Sequence, residues 1–265
     1  MKINLSITDG DAERMVKLDE LAGHCDDLLE VDRFRDYCPN GLQVEGKEQV
    51  ETIVSGVTAC QDLIDSAIAQ EADAILVHHG YFWKGEDARI VGMKRRRLHA
   101  LLDAGISLLA YHLPLDAHPV LGNNAQLAQR LGMGIEGQFG PEQPAIGLYG
   151  SLSQPTPVND FLSTVRQQLG REPMHIPGDV KRIQRIAWCT GGAQSYIGHA
   201  VELGVDLFLS GEISEQTTHI ARETGTHYVA AGHHATERYG VQALGEHIGA
   251  HFGINHIYID IDNPA

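Results

Sequence analysis

The chain has 265 residues, 43% of them hydrophobic, which is enough for one large or two medium domains with a hydrophobic core. Its formal net charge of −15, with histidine counted as neutral, argues against binding a nucleic-acid backbone or an anionic membrane through the overall field. Four widely spaced cysteines without a C-x-x-C pair argue against a disulfide framework or a thiolate zinc site, and a cytoplasmic location fits them best.

The first residues of the chain carry no periodic apolar pattern. Residues 1–16 are therefore predicted to form a loose tail, and no apolar segment after a basic start suggests a secretory signal. No apolar run reaches the ~18 residues that a membrane span needs. The spacing of apolar and turn residues predicts, in chain order, a helix over Lys17–Leu29, a turn at Asp36–Gly41, a strand over Val50–Val57, a helix over Gln61–Gln70, a buried strand over Ala74–Val77, a helix over Arg95–Ala104, a strand over Ile106–Tyr111 and a helix over Asn123–Leu131.

The second half of the chain repeats this plan. A shift of 133 residues lays the segment from Ile53 over the segment from Ile186 and aligns Asp73 with Asp206. The repeated pattern predicts a helix over Val158–Leu169, a strand from Ile186, a strand over His227–Ala231 and a helix over Val241–His251. Two pieces do not repeat: a Gly/Pro-rich connection over Gly134–Gln154 and a closing strand within Phe252–Ile261.

The predicted fold class is therefore α/β, built from two similar halves that arose by internal duplication. Residues 17–132 form the first α/β domain and residues 133–265 the second, although the C-terminal segment can pack back on the first. Alternating strands and helices favour parallel pairing with right-handed crossovers. A pair of this kind places a site in the cleft between its halves, where ligand pockets are common.

Histidines and carboxylates follow the predicted strand ends of both halves. The first half offers His78 and His79 directly after a buried strand, and each half then offers a histidine and a carboxylate four residues apart. Each group alone also fits a simpler interpretation, since histidine can cap a strand and a carboxylate can open a helix. Their duplicated placement favours one shared metal site instead, made of His78, His79, His112, Asp116, His233 and Glu237.

Neutral imidazole and carboxylate ligands suit zinc, iron or manganese. Six candidate ligands exceed what one tetrahedral ion needs and favour two divalent ions about 3.5–4 Å apart. Glu237 has the longer side chain of the two carboxylates and is the better candidate for a bridge between the ions. The sequence does not decide which metal is native.

These motifs resemble those of the NIF-three-like family, whose members are dinuclear-metal proteins often labelled GTP cyclohydrolase type 2 homologues. The resemblance is strongest to the bacterial branch and covers the chain from about Leu18 to Ala265. It is carried by the segments Asn40–Gly46, His78–Gly80, His112–Asp116 and Gly232–Glu237. It implies a two-domain α/β protomer, a metal pair in the cleft, and a ring-shaped homohexamer whose sites face an internal cavity.

The resemblance also implies individual ligand roles. Matched motif by motif, His79 and Asp116 hold one ion, His78 and His233 hold the other, and Glu237 bridges them. His112 lies close to the ions without being a ligand, which makes it the candidate general acid or base.

The segment after the histidine pair and a basic run further along the chain each allow two interpretations. Tyr81 and Lys84 follow the histidine pair within the segment Tyr-Phe-Trp-Lys. They fit either a cluster at a core edge or subunit contact, or a wall on which a planar substrate stacks while the lysine binds phosphate. The basic run Lys94–Arg97 fits the exposed start of a helix or a phosphate-binding patch.

The sequence thus favours a metal-dependent hydrolase that acts on a small molecule, such as a nucleotide, through a metal-activated water. It contains no P-loop and no Rossmann glycine fingerprint, so a nucleotide would be bound by metals, aromatic rings and basic groups. A second hypothesis is a metal-binding ring that serves as a scaffold with little turnover. A nucleic-acid phosphoesterase is a third hypothesis and is not expected from the net charge.

Overall fold

The computed structural model of the chain describes residues 15–265. Residues 1–14 of the predicted tail lie outside the described residues. Val16, which the prediction placed in the tail, is buried and pairs with Val50 in a short antiparallel ladder, so the ordered fold begins earlier than predicted. No helix among the described residues is long and apolar enough to cross a bilayer.

Strands and helices alternate along most of the chain. The strands are β1 Val16–Lys17, β2 Gly41–Val44, β3 Gln49–Val50, β4 Thr52–Thr58, β5 Ala74–His79, β6 Ser107–Ala110, β7 Met133–Phe139, β8 Gly147–Pro157, β9 Met174–Ile176, β10 Arg182–Cys189, β11 Leu207–Ser210, β12 His227–Ala230 and β13 Asn255–Tyr258. The helices are α1 Leu18–Leu28, α2 Gln61–Ala69, α3 Gly92–Ala104, α4 Leu113–Ala117, α5 Asn123–Leu131, α6 Val158–Leu169, α7 Ile197–Glu202, α8 Glu215–Thr224 and α9 His233–Phe252. The basic run Lys94–Arg97 lies in the first turns of α3.

The first large sheet has the strand order β13-β4-β5-β6-β2, in which β2 alone is antiparallel to its neighbour. The first four residues of its central strand β5, Ala74–Val77, form an uninterrupted apolar run, as a parallel strand covered on both faces requires. Leu21 of α1 and Leu244 of α9 pack on one face of this sheet. Leu63 of α2 and Leu101 of α3 pack on the other.

The second sheet has the order β7-β8-β10-β11-β12-β9 and a parallel centre of β10, β11 and β12. The predicted connection over Gly134–Gln154 is wrong, because most of it forms the antiparallel strands β7 and β8. Its glycines reflect close backbone approach, since a Cβ on Gly150 would lie 1.7 Å from the carbonyl oxygen of Gly134. The mixed α/β fold class is confirmed.

Helix α9 links the two sheets and begins at His233, earlier than the predicted start at Val241. Tyr239 in its first half packs into the core beside the second sheet, together with α5 and α6. Leu244 and Ile248 in its second half pack into the core beside the first sheet. The start of α9 is thereby fixed at the junction between the sheets, where His233 and Glu237 lie.

Asp73 and Asp206, which the sequence repeat aligns, make the same contacts in their respective sheets. The Asp73 carboxylate accepts the backbone N–H groups of Glu51 and Thr52 at 3.0 and 3.2 Å. The Asp206 carboxylate accepts the backbone N–H groups of Gln184 and Arg185 in β10 in the same way, at 2.8 and 2.9 Å. These matched contacts agree with the predicted duplication, which together with the domain boundary at residue 132 stays a prediction.

Candidate metal centre

His78 and His79 end strand β5, and their ring centroids are 4.5 Å apart. The packing favours glycine at the next residue, because a Cβ on Gly80 would lie 2.2 Å from the side-chain oxygen of Gln43 and 2.6 Å from the Cβ of Ala110. The parallel strand therefore delivers both imidazoles to the carboxyl edge of the first sheet, which is where α/β proteins place ligands.

His78 is completely buried, and its orientation is fixed by its Nδ1 atom, which lies 2.9 Å from the carbonyl oxygen of Tyr111. A carbonyl can only accept, so Nδ1 carries a proton and Nε2 is directed into the site. That Nε2 lies 3.6 Å from Asp116 Oδ1 and 3.5 Å from Glu237 Oε1. His79 is arranged similarly, with Nδ1 3.2 Å from the Thr58 hydroxyl and Nε2 3.3 Å from Glu237 Oε2.

Asp116 lies on the short helix α4 and is buried at the centre of the site. Its Oδ1 accepts the side-chain N–H of Asn123 at 2.9 Å and the hydroxyl of Thr190 at 3.3 Å. The other end of the Asn123 amide accepts the Gly240 N–H at 2.9 Å. One asparagine thus ties the ligand on α4 to helix α9.

Glu237 and His233 lie four residues apart on the first turns of α9 and so share one face of the helix. Glu237 is 3% exposed, yet its Oε2 has no hydrogen-bond partner of good geometry. The Nε2 atoms of His233 and His79 nevertheless lie 3.1 and 3.3 Å from that oxygen. A buried carboxylate oxygen that lies beside two imidazole nitrogens without a well-aligned hydrogen bond is poorly satisfied by protein alone and fits a bound cation.

Gly191 closes the pocket around this carboxylate. Its φ is +64°, and a Cβ at this position would lie 1.9 Å from Glu237 Oε1. The conformation favours glycine, and the contact leaves no room for a side chain. The donor set and the tight fit around Glu237 both suit a metal centre.

The charges of the site are strongly coupled. Burial favours neutral His78, but the carboxylates of Asp116 and Glu237 outweigh burial and raise the pKa of His78 to about 9. His233 behaves in the same way, since Glu237 and Glu212 outweigh the pKa-lowering effect of burial and raise its pKa to about 9. His79 is buried among other imidazoles, and its pKa falls to about 3. The cluster stabilises positive charge at two of its imidazoles.

The five predicted ligands converge, and the distances group them around Glu237. His78 and Asp116 lie on the side of Oε1, and His79 and His233 lie on the side of Oε2. This grouping differs from the ligand pairs implied by family resemblance, which joined His79 with Asp116. Both groupings leave Glu237 as the shared carboxylate.

His112 stands beside the cluster, with its ring centroid 5.1 Å from that of His78. Its Nδ1 lies 2.7 Å from Asp36 Oδ1, and the other oxygen of Asp36 accepts the N–H of Leu113 at 2.9 Å. Asp36 thereby holds the His112 ring and directs Nε2 towards the site. The hydrogen bond and charge of His112 lower the pKa of the Asp36 carboxyl, against the effect of its burial.

A cavity of about 680 Å³ opens in front of these groups. Its walls combine candidate ligands with aromatic rings, and the residues that line it include His79, His112, Asp116, His233, Glu237, Tyr37, Trp83 and Tyr196. The rings of Trp83 and His112 meet edge to face at 5.0 Å. Aromatic walls beside polar groups are typical of a small-molecule pocket.

The prediction that Tyr81 and Lys84 contact substrate is not supported by their positions. Tyr81 is buried, and its hydroxyl donates to the carbonyl of Ala59 at 2.7 Å. Lys84 is exposed and pairs through its backbone N–H with Tyr37. Neither is among the residues that line the cavity, whereas Trp83 between them does line it. Tyr81 therefore packs in the core, Lys84 faces solvent, and Trp83 is the one of the three that faces the cavity.

Sequence reasoning missed several groups that position the ligands. Asp36 was interpreted only as a turn residue, and Thr58, Asn123 and Thr190 were not singled out. Glu212 also positions a ligand, since its Oε1 lies 2.8 Å from His233 Nδ1. Asn123 and Thr190 carry no distinctive sequence signal, because each reaches Asp116 only through the tertiary fold.

A family model described as Duf34/NIF3 (NGG1p interacting factor 3) matches residues 16–264. The chain belongs to this family. Among curated relatives, the GTP cyclohydrolase 1 type 2 homolog of Pseudomonas aeruginosa is 58% identical over 251 residues, covering 94% of this chain and 99% of that protein. The protein of the same name from Escherichia coli K12 is 52% identical over 252 residues, covering 94% and 100%.

Solved structures of this Duf34/NIF3 family share the fold. A structure titled protein ybgI, of unknown function, has a TM-score of 0.91 and 50% identity, with 94% of this chain and 100% of that chain covered. TTHA1606 from Thermus thermophilus has a TM-score of 0.84 and 34% identity, with the same coverage. The name shared by the curated relatives marks them as homologues of a GTP cyclohydrolase.

Proposed function

We propose that this Duf34/NIF3 protein is a hydrolase that uses two divalent metal ions and acts on a nucleotide or related small substrate. The observation that carries the proposal is Glu237, a buried carboxylate whose Oε2 lies between two imidazole Nε2 atoms and beside an open cavity. When bound, a pair of zinc, iron or manganese ions supplies Lewis acidity and lowers the pKa of a bound water towards about 7.

Five side chains would hold the ions: His78, His79, Asp116, His233 and Glu237. Their positioning groups limit the orientations available to each ring, since the Tyr111 carbonyl holds His78 and Glu212 holds His233. Ligands held by hydrogen bonds of this kind lose little freedom on binding metal, which strengthens the site.

His112 is proposed as the general acid or base. Asp36 accepts the proton of its Nδ1 and so keeps Nε2 free to exchange a proton inside the cavity. Asp36 acts through His112 and is a positioning residue. The rings of Tyr37, Trp83 and Tyr196 line the same cavity and offer faces on which a planar base can stack.

The test is a hydrolysis screen of the protein reconstituted separately with zinc, manganese and iron. The substrates are GTP, other nucleotides, phosphoesters and cyclic amides. We expect turnover with at least one metal, and we expect Glu237→Gln to abolish it while the oligomer persists. Glu223→Gln, an exposed acid on α8, serves as the matched control and retains activity.

A metal-binding scaffold with little turnover is the alternative. We infer that the chain assembles into a cytoplasmic homohexameric ring, which serves either function. Metal binding without hydrolysis of any substrate class in the screen would favour the scaffold. Salt-dependent binding of single-stranded DNA would favour the third candidate, a nucleic-acid phosphoesterase, and is not expected of a chain with net charge −15.

A further inference from the structure

A second group of histidines lies at the end of α9 remote from the candidate metal centre. His24 of α1 and His247 and His251 of α9 each offer a ring nitrogen, and these three nitrogens lie within 4.8 Å of one another. Because α9 rises 1.5 Å per residue, His233 and His247 are about 20 Å apart along the helix. The two histidine groups are therefore separate sites.

The fold fixes this second group on two packed helices. His247 and His251 are four residues apart and so share one face of α9, which is the spacing of a helical metal chelate. Leu244 and Ile248 anchor this part of α9 in the same apolar core that holds Leu21 of α1. The shared core sets the distance between His24 and the α9 pair before any ion arrives.

The nitrogens of His24 and His247 are close enough to share one ion. His24 Nε2 and His247 Nε2 lie 3.0 Å apart. Two nitrogens bound to one ion at about 2.0–2.1 Å are about 2.9–3.4 Å apart for bond angles from square to tetrahedral. The His24 ring stacks on that of His251 with centroids at 4.1 Å, so one of the two rings must turn before both nitrogens point at the same ion, and the Phe252 ring packs edge to face against both.

Two of the three imidazoles favour the form that binds metal. Burial and the nearby histidines lower the pKa values of His24 and His247, which favours neutral rings with free lone pairs at pH 7. Asp27 lies close enough to His24 to act in the opposite direction, and its negative charge also attracts a cation. A ligand set of three imidazoles selects borderline ions rather than magnesium or calcium.

We propose that His24, His247 and His251 bind one divalent ion of the zinc, nickel or copper class. The ion would join α1 to the last turns of α9 and stabilise the packing of both helices on the first sheet. Its remaining coordination positions would be open to water, because His247 is partly exposed and His251 is exposed.

The test is equilibrium dialysis of the full-length protein against zinc, followed by metal analysis. We expect His247→Gln and His24→Gln each to bind one equivalent less than the unsubstituted protein. His219→Gln, an exposed histidine on helix α8, is the matched control and binds the full amount. His251→Gln changes an exposed side chain and is expected to weaken the same equivalent.

Two further measurements make the result independent of folding defects and of the candidate centre. Copper added to a Glu237→Gln protein should show nitrogen hyperfine splitting in its electron paramagnetic resonance spectrum, and adding His247→Gln should lower the integrated signal by one copper equivalent. Zinc should raise the melting temperature of the Glu237→Gln protein more than that of the Glu237→Gln/His247→Gln double variant. Full zinc stoichiometry in His247→Gln, with native circular dichroism, would overturn the proposal.

Discussion

The most informative single substitution at the proposed centre is Glu212→Gln, because Glu212 touches a ligand rather than an ion. Its Oε1 lies 2.8 Å from His233 Nδ1, and its backbone carbonyl accepts the hydroxyl of Tyr228. Glutamine keeps the size of the side chain and an oxygen that can accept the same proton. The substitution therefore removes the charge that polarises His233 and leaves the geometry in place.

The expected loss follows from the exposure of this contact. Removing the partner of a ligand histidine typically weakens metal binding about 10- to 100-fold. The Glu212 side chain is 44% exposed, so solvent screens its charge, and we expect a loss near the lower end. That loss is about tenfold, or about 1.4 kcal/mol of binding free energy.

The assay is competition for zinc against a chromophoric chelator, in a His247→Gln background so that the proposed surface site does not contribute. Glu215→Gln, which changes an exposed acid at the start of α8, is the matched control and should bind zinc as tightly as the background protein. Unchanged affinity in Glu212→Gln, or an equal loss in Glu215→Gln, would refute the proposed role of Glu212.

Three further predictions concern the pocket, the stability and the thiols. Gly191→Ala should abolish metal binding, because its Cβ would lie 1.9 Å from Glu237 Oε1, and strain at φ +64° should lower the free energy of unfolding by about 1–2 kcal/mol. Asp73→Asn should destabilise the protein at pH 6 and less below pH 4, as measured by urea unfolding. Lys47 and backbone N–H groups lower the pKa of Asp73 despite its burial, so this stability is present above the unfolded value of 3.8 and is lost as pH falls through the folded one. Cys60 should be the first thiol to react with a disulfide reagent at pH 8, since the other three are buried.

Two of these predictions have a control variant, and the third has a contrast among the thiols. A Cβ on Gly192 would meet only ordinary contacts at 3.6 Å or more, so Gly192→Ala should retain metal. Asp103→Asn changes an exposed helical acid and should leave the pH profile unaltered. Burial raises the pKa values of Cys25 and Cys38 to about 12, so rapid labelling of either thiol in the native protein would contradict the packing described.

The sequence predicted the elements whose pattern is local. The buried strand before His78 and the periodic helices were predicted at the correct positions. Their patterns are local, because a strand covered on both faces is apolar throughout and a helix that packs on a sheet has one apolar face. The glycine-rich hairpin of β7 and β8 was missed, since glycine there reflects contact between the strands at Gly134 and Gly150. The first turns of α9 were missed because that helix packs against two cores and has no single apolar stripe.

The site was predictable where its residues are chemically distinctive. Histidines and carboxylates at strand ends stand out in a sequence, and the structure brings all six of them together. Asp36 did not stand out, because its partner His112 lies 76 residues away along the chain. Tyr81 was preferred to Trp83 because the sequence does not reveal which side chains of the segment after His79 turn into the core.

The central claim is tested most directly by anomalous X-ray diffraction from crystals grown with zinc. We expect two anomalous peaks about 3.5–4 Å apart, both within bonding distance of Glu237, with the imidazoles of His78, His79 and His233 and the carboxylate of Asp116 around them. Crystals of metal-replete protein with no anomalous peak among these five side chains would contradict the account.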